Sequence, residues 1–406
     1  MTQKADWVER SRFPQTPRLQ FGAEPVGELR ALTGLRGVAA LLVVCFHLIS
    51  FSLTNPTLRA AFHHGYIWVD AFFVLSGFVM ALAYKVHAGP GLIRRHLHFL
   101  GRRLARIYPL YIVTALIALA VVQSGGSWLS DFRFARPGQT LAANILLAQN
   151  FGWLAFAGHI AWATSLNMAS WSISTEWGNY LIYPALALIA AHHRRWPPLV
   201  LATAAVVTLA VLAFGSFPWL IGRGGPLDYV DGSTPQAWLR CVAEFSLGLL
   251  AWRVRDAQVV RTALGARAAS AVILAVILAL LFWPASDLAI VLAFPLLLLS
   301  LQRPDGWGAR LLAFPLMHRL GVWSYSIYLI HTVLLLTRVP IYVRAAMPGP
   351  IMGNAAVVAV IVGLSALSYH VIERPGRALL TYGLPGLRWR IIPSRASGTT
   401  AKAPPR

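Results

Sequence analysis

Residues 36–47 read RGVAALLVVCFH. A charge opens the stretch, an imidazole closes it, and almost everything between is apolar. As an α-helix, eleven steps of about 1.5 Å separate Arg36 from His47 by about 16 Å along the axis, and eleven turns of about 100° return them to within about 20° of one face. Guanidinium and imidazole therefore project from one stripe at different depths. The reading puts Arg36 at a membrane surface and His47 near the bilayer centre, which holds only if the chain spans a membrane.

Composition supports that condition. Of 406 residues, 57% are hydrophobic and 12% charged, with mean hydropathy +0.61, too apolar for an ordinary soluble domain. The expected class is all-α, a polytopic membrane helix bundle. Its first apolar run begins near residue 37, behind a polar segment rich in Arg and Pro, unlike the short charged start of a secretory signal peptide. Cys45 and Cys241 both lie in apolar segments, so they read as small buried hydrophobes; neither a disulfide framework nor a metal site is expected.

Windows of about 17 to 20 predominantly apolar residues predict about ten spanning helices, near 37–55, 66–84, 107–123, 170–191, 197–216, 238–252, 268–283, 287–301, 321–337 and 351–371. With the N-terminus cytoplasmic, 28 of the 35 Lys and Arg residues fall on that side, the bias that orients membrane proteins. Ten helices with both termini cytoplasmic fit it, in the cytoplasmic (inner) membrane. The net charge of +21 is spread over alternate loops, so topology explains it and no nucleic-acid partner is expected. The organisation expected is a polar N-terminal segment over 1–28, a membrane domain over 29–377 and a disordered cytoplasmic tail over 378–406. Within the long external connection 124–169, LAANILLAQNFGWLAF predicts an interfacial or re-entrant helix.

Ionisable groups inside a bilayer are costly and call for a reason. His47 is either a hydrogen-bonded structural residue or a general base. Glu176, in WSISTEWGNYLIYP, lies about 10 Å from the outer face and His47 about 14 Å from it in a core about 30 Å thick. A carboxylate at that depth can fix a histidine's tautomer and raise its basicity; the alternative for Glu176 is a polar clamp between helices. His331, in SYSIYLIH, is also near the midplane and rivals His47. Asp70 sits nearer the outer face, suited to binding a hydroxylated acceptor or to capping and packing. Ser76 and Gly77 read as a small-residue packing notch at least as well as a nucleophile, because LSGF lacks a strand-to-helix elbow.

The cytoplasmic side carries Arg102, Arg103 and Arg106 in RRLARIYPLY, with Arg103 and Arg106 neighbours on one helix surface. Such arginines commonly enforce topology or touch anionic headgroups. Arginine is also suited to bidentate phosphate binding, and with Arg36 these residues could hold a cofactor bearing several phosphates, such as coenzyme A.

LRALTGLRGVAALLVVCFH, VDAFFVLSGF, RRLARIYPLY, NMASWSISTEWGNYLIYP, SYSIYLIH and SYHVIERP, spanning about residues 29 to 377, together resemble the acyltransferase 3 family of integral-membrane acyltransferases in order and spacing. The resemblance implies transfer of an acyl group, commonly acetyl from acetyl-CoA, to a hydroxyl of a carbohydrate, a lipid-linked glycan or a small metabolite. It is to the stand-alone type, which lacks a fused esterase-like domain. The family's Arg, ten residues, His signature falls on Arg36 and His47, its Arg-x-x-Arg signature on Arg103 and Arg106, and the Glu of its WS motif on Glu176. On the residues alone, a transporter or flippase of glycan or lipid intermediates is the alternative.

Overall fold

The computed structural model describes residues 26–49, 55–84, 86, 88–125, 137–151, 165–215, 225–230, 234–283 and 285–382. These form sixteen α-helices and no strand. The first eight are α1 (Val26–Ile49), α2 (Pro56–His63), α3 (Trp68–Ala83), α4 (Leu92–Gln123), α5 (Pro137–Ile145), α6 (Trp171–Ala190), α7 (Trp196–Phe214) and α8 (Gln236–Val254). There follow α9 (Gln258–Leu264), α10 (Ala269–Leu280), α11 (Asp287–Ser300), α12 (Trp307–Leu312), α13 (Pro315–Leu336), α14 (Val339–Ala345), α15 (Pro350–Ser368) and α16 (Arg374–Tyr382). The N-terminal segment before residue 26, the tail after Tyr382 and the part of LAANILLAQNFGWLAF after Phe151 lie outside the described residues.

Each of the ten expected windows contains a helix. Among the described residues, six helical stretches are long and apolar enough to cross a membrane: Arg30–Ile49, Pro56–Ala83, Leu92–Gln123, Trp196–Phe214, Pro315–Leu336 and Pro350–Tyr382. A seventh arises if α9 and α10, bent by 71° at their break, are one span. Helix α6 carries Ser172, Ser174, Thr175, Glu176 and Asn179, and α8 carries Arg240 and Glu244. Nearly all of these polar groups are buried against neighbouring helices, so α6 and α8 need not be apolar all round.

Two helices begin earlier than hydropathy suggests. Helix α4 has 32 residues, about 48 Å, which exceeds a core of about 30 Å. Its basic first turns continue the helix because no proline intervenes between Gly91 and Pro109 and the single Gly101 is tolerated. Helix α1 starts ten residues before Arg36, so Arg36 lies within the packed length of the helix and not at its start. Of the segment expected to be an interfacial or re-entrant helix, the described part is tied into the bundle by its polar side chains, while Ile145 and Leu146 stay exposed. Tyr111 donates to the Asn144 carbonyl at 2.8 Å, Gln149 donates to Tyr111 at 3.1 Å, and the Asn150 amide donates to Ser174 at 3.1 Å. Polar side chains with partners inside the protein explain why the segment packs against the bundle although some of its apolar residues face outward.

Glycines set two close helix crossings. A Cβ on Gly37 would stand 2.5 Å from the Gly321 amide nitrogen, and one on Gly321 would overlap the Thr33 carbonyl, so α1 and α13 pack backbone to backbone. Likewise Gly77 lies against the Phe245 carbonyl and Gly248 against the Val74 carbonyl where α3 crosses α8. The packing-notch reading of Gly77 thus agrees with its surroundings, and such small-residue contacts are the usual means of close helix approach in membranes. A Gly37→Ala protein should lose about 1–3 kcal/mol of stability through overpacking, seen as a lowered thermal midpoint in detergent. An unshifted midpoint would contradict the close approach.

Candidate functional site

From Gly37 to His47 is ten residues, and from Gly321 to His331 is also ten. Because α1 and α13 meet at the two glycines and run the same way, equal offsets of about 15 Å bring the two imidazoles together. Their ring centroids are 5.1 Å apart, tilted by 50°. The two histidines that depth alone left as rivals are a pair.

Each imidazole is oriented by its own helix. His47 Nδ1 lies 3.0 Å from the Val43 carbonyl and His331 Nδ1 lies 3.1 Å from the Ile327 carbonyl, one turn back in each case. A carbonyl accepts only, so both rings carry hydrogen on Nδ1 and keep a lone pair on Nε2. His331 is fully buried, and its Nε2 has no partner among the described residues. His47 is half-buried and lines a cavity of about 90 Å³ together with Phe46, Tyr66, Trp171, Arg240 and Tyr328. The Tyr328 hydroxyl pairs with Ser172 at 2.7 Å, and its ring sits 5.8 Å from that of His331.

Glu176 is not in this group. Its carboxylate accepts hydrogen bonds from Ser76 and, at 2.5 Å, from Tyr180. The matched-depth expectation that Glu176 orients His47 is therefore corrected: the Val43 carbonyl holds the ring. Depth counted along separate helices cannot say which way each helix faces.

Asp70 on α3 is fully buried and forms a two-pronged ion pair with Arg240 on α8, with Nε donating to Oδ1 at 2.7 Å and Nη2 donating to Oδ2. It neither caps α3 nor stands open. Arg240 also donates to the Tyr229 carbonyl at 3.3 Å and lies 3.5 Å from Glu244. One guanidinium thus faces two buried carboxylates. Nearby, Asp287 at the start of α11 accepts from His64, from Tyr66 and, at 2.7 Å, from the Leu227 amide. Arg240, Glu244, His64, Tyr66 and Asp287 were all missed from sequence. The signal for the first two was present: an Arg and a Glu four apart inside QAWLRCVAEFSLGLLAW need a partner. Cys45 and Cys241 are free thiols, half-buried and buried, and Asn179 donates to Cys241 Sγ at 3.1 Å.

Toward the other end of α1 the charge reverses. Arg36 lies within electrostatic reach of Arg106, Glu176 and Glu373. Arg103 donates to the Tyr84 hydroxyl at 3.3 Å, and its guanidinium packs over Tyr84, Phe99 and Tyr180 at 5.2 to 5.9 Å from the ring centroids. Arg377 on α16 feels both Arg103 and Arg106. Glu373 accepts from Ser326 at 2.7 Å. Four guanidiniums thus face two carboxylates, and neither Arg36 nor Arg106 is hydrogen-bonded among the described residues. Like charges brought together in a partly desolvated site cost energy that a bound anion offsets. The structure therefore groups the sequence-predicted residues into two sets, His47 with His331 and Arg36 with Arg103, Arg106 and Glu176, and leaves Asp70 in an ion pair near the first.

The family profile described as an acyltransferase domain matches residues 29–370. The chain belongs to the acyltransferase 3 family. It is 30% identical over 338 residues to Acyltransferase MdmB of Streptomyces mycarofaciens, covering 75% of this chain and 79% of that one. To a protein of Komagataeibacter xylinus named as a membrane-bound transacylase, BcsY, it is 28% identical over 381 residues, covering 87% and 84%. A protein of Staphylococcus aureus strain COL named as an O-acetyltransferase, SACOL0978, is 24% identical over 383 residues, 88% of this chain and 58% of the relative. No solved structure matches. As an acyltransferase 3 member, the chain is a multi-pass membrane protein whose family supports transferase activity.

Proposed function

We propose that this protein moves an acyl group, acetyl in the first instance, from acyl-CoA to a hydroxyl of a carbohydrate, a lipid-linked glycan or a small metabolite. The observation that carries this is the arrangement on α1: an imidazole pair beside a cavity toward one end, and arginines in surplus over carboxylates about 16 Å away toward the other. In this reading both termini are cytoplasmic, ten helices span the inner membrane, and the arginines face the compartment that holds acyl-CoA. The excess of Lys and Arg on that side supports the orientation.

Arg36, Arg103 and Arg106 hold the donor's phosphates, and the pantetheine arm rises along α1 until the thioester carbonyl stands beside His47. The acceptor hydroxyl occupies the cavity. As its oxygen attacks the carbonyl carbon, the Nε2 lone pair of His47 takes its proton, the tetrahedral intermediate collapses, and the carbon–sulfur bond breaks. The departing CoA thiolate takes the proton back from His47, leaving the ester and free CoA thiol. Glu176 tempers the positive charge beside the phosphates, and Asp70 acts through Arg240 on the cavity wall. His331 keeps an unpaired lone pair beside the imidazolium that forms.

Acyl-CoA affinity of the purified protein tests the arginine role. Arg106→Ala should weaken acetyl-CoA binding by about tenfold or more, the scale of a charge-assisted hydrogen bond to phosphate, and Arg103→Ala should do likewise. Unchanged binding in both would leave these residues only a topological role.

A further inference from the structure

A second cavity, beside the arginine cluster, has no part in the mechanism above. It measures about 670 Å³ and lies between the C-terminal ends of α3, α6 and α8. That volume is within the usual range for sites taking small organic ligands, about 300–1,000 Å³. Its wall is aromatic and basic, with Tyr84, Tyr183 and Trp252 beside His192, Arg253 and Arg255. It also connects with the arginines, because Tyr84 lines it and accepts the hydrogen bond from Arg103.

Two features select among ligands. The Arg255 guanidinium stacks on Trp252 at 3.4 Å from the ring centroid, and it is held flat by the Trp252 carbonyl at 2.9 Å and by Asp256 at 3.1 Å. A guanidinium plane immobilised in this way is a platform on which a purine stacks. Next to it, the exposed side chain of Arg253 has no hydrogen-bond or ion-pair partner among the described residues, and the rings of His192 and His193 stack at 4.5 Å on the facing loop. Those groups offer donors to phosphate. A flat base beside phosphates describes a purine nucleotide better than a lipid headgroup, which has no ring to stack.

We propose that this cavity receives the adenine nucleotide of the donor, with the ring on Arg255 and its ribose phosphate at Arg253, while the diphosphate passes Tyr84 toward Arg103. The proposal rests on the donor's being an acyl-CoA. It gives the arginine cluster and this cavity consecutive parts of one extended ligand.

The test measures binding of adenosine 3′,5′-bisphosphate and of CoA to the full-length protein in phosphatidylcholine nanodiscs. Two variants serve: Arg253→Gln, at an exposed position, and Ala191→Trp, which fills the cavity from an exposed site on its wall. Both should weaken adenosine 3′,5′-bisphosphate and CoA by about tenfold or more. Wild-type binding of the bisphosphate that neither variant changes overturns this proposal and leaves the donor reading standing. If the wild type binds neither CoA nor the bisphosphate, the donor reading fails and this proposal with it. Retention of phosphatidylglycerol that drops in the variants, with nucleotide affinity unaltered, would make the cavity a headgroup site and overturn the proposal.

Discussion

Purified His47→Gln protein should release CoA thiol from acetyl-CoA, in the presence of an acceptor extract, about 10²–10⁴-fold more slowly than wild type, the range expected when a general base is removed. Glutamine keeps a similar length and polarity but has no lone pair basic enough to take a hydroxyl proton near neutral pH. His47 donates nothing that packing requires beyond the bond to Val43 on its own helix, so the variant should fold, and an unaltered thermal midpoint would confirm that. His331→Gln should slow the reaction less, since the reacting oxygen meets the cavity that His47 lines and His331 does not. Wild-type turnover by folded His47→Gln would remove His47 from the chemistry.

The second large effect concerns stability. Arg240→Met should cost about 3–5 kcal/mol, because it strands Asp70 and Glu244 as buried carboxylates without a cation. The loss should appear as a sharply lower melting temperature of detergent-purified protein or as failure to accumulate. Glu244→Gln is the informative companion. It removes one of two carboxylates competing for a single guanidinium, so it should be neutral or stabilising, while Asp70→Ala should destabilise by leaving Arg240 under-compensated. Equal melting of Arg240→Met and wild type would show that the tie between α3 and α8 rests on the Gly77 and Gly248 crossing alone.

Much of the fold was legible because lipid imposes a simple rule on helix exteriors, and every apolar window contained a helix. What hydropathy could not see was helix outside the apolar zone: the basic turns of α4 and the ten residues of α1 before Arg36 are helical because no proline interrupts them. The site was legible in its members more than in its groupings. Arg36 and His47 shared a stripe by arithmetic on one helix, which requires no knowledge of neighbours. Pairing Glu176 with His47 required the rotation of α6 about its own axis, which depth does not contain, and that pairing did not hold. The His47 and His331 pair became derivable only once Gly37 and Gly321 were known to touch. For Asp70 a packing role was legible, but its partner Arg240 was not, because the two lie 170 residues apart on different helices.

The ten-residue spacing from glycine to histidine in both α1 and α13 has a consequence for how such a chain can diverge. Gain or loss of one residue between the crossing and the histidine would turn that imidazole by about 100° about its helix and shift it by about 1.5 Å. Substitutions along these stretches can accumulate freely wherever size allows, but insertions and deletions cannot, unless both helices change together. Length variation is thereby channelled into the connections between helices, leaving these two segments as a fixed pair of rulers.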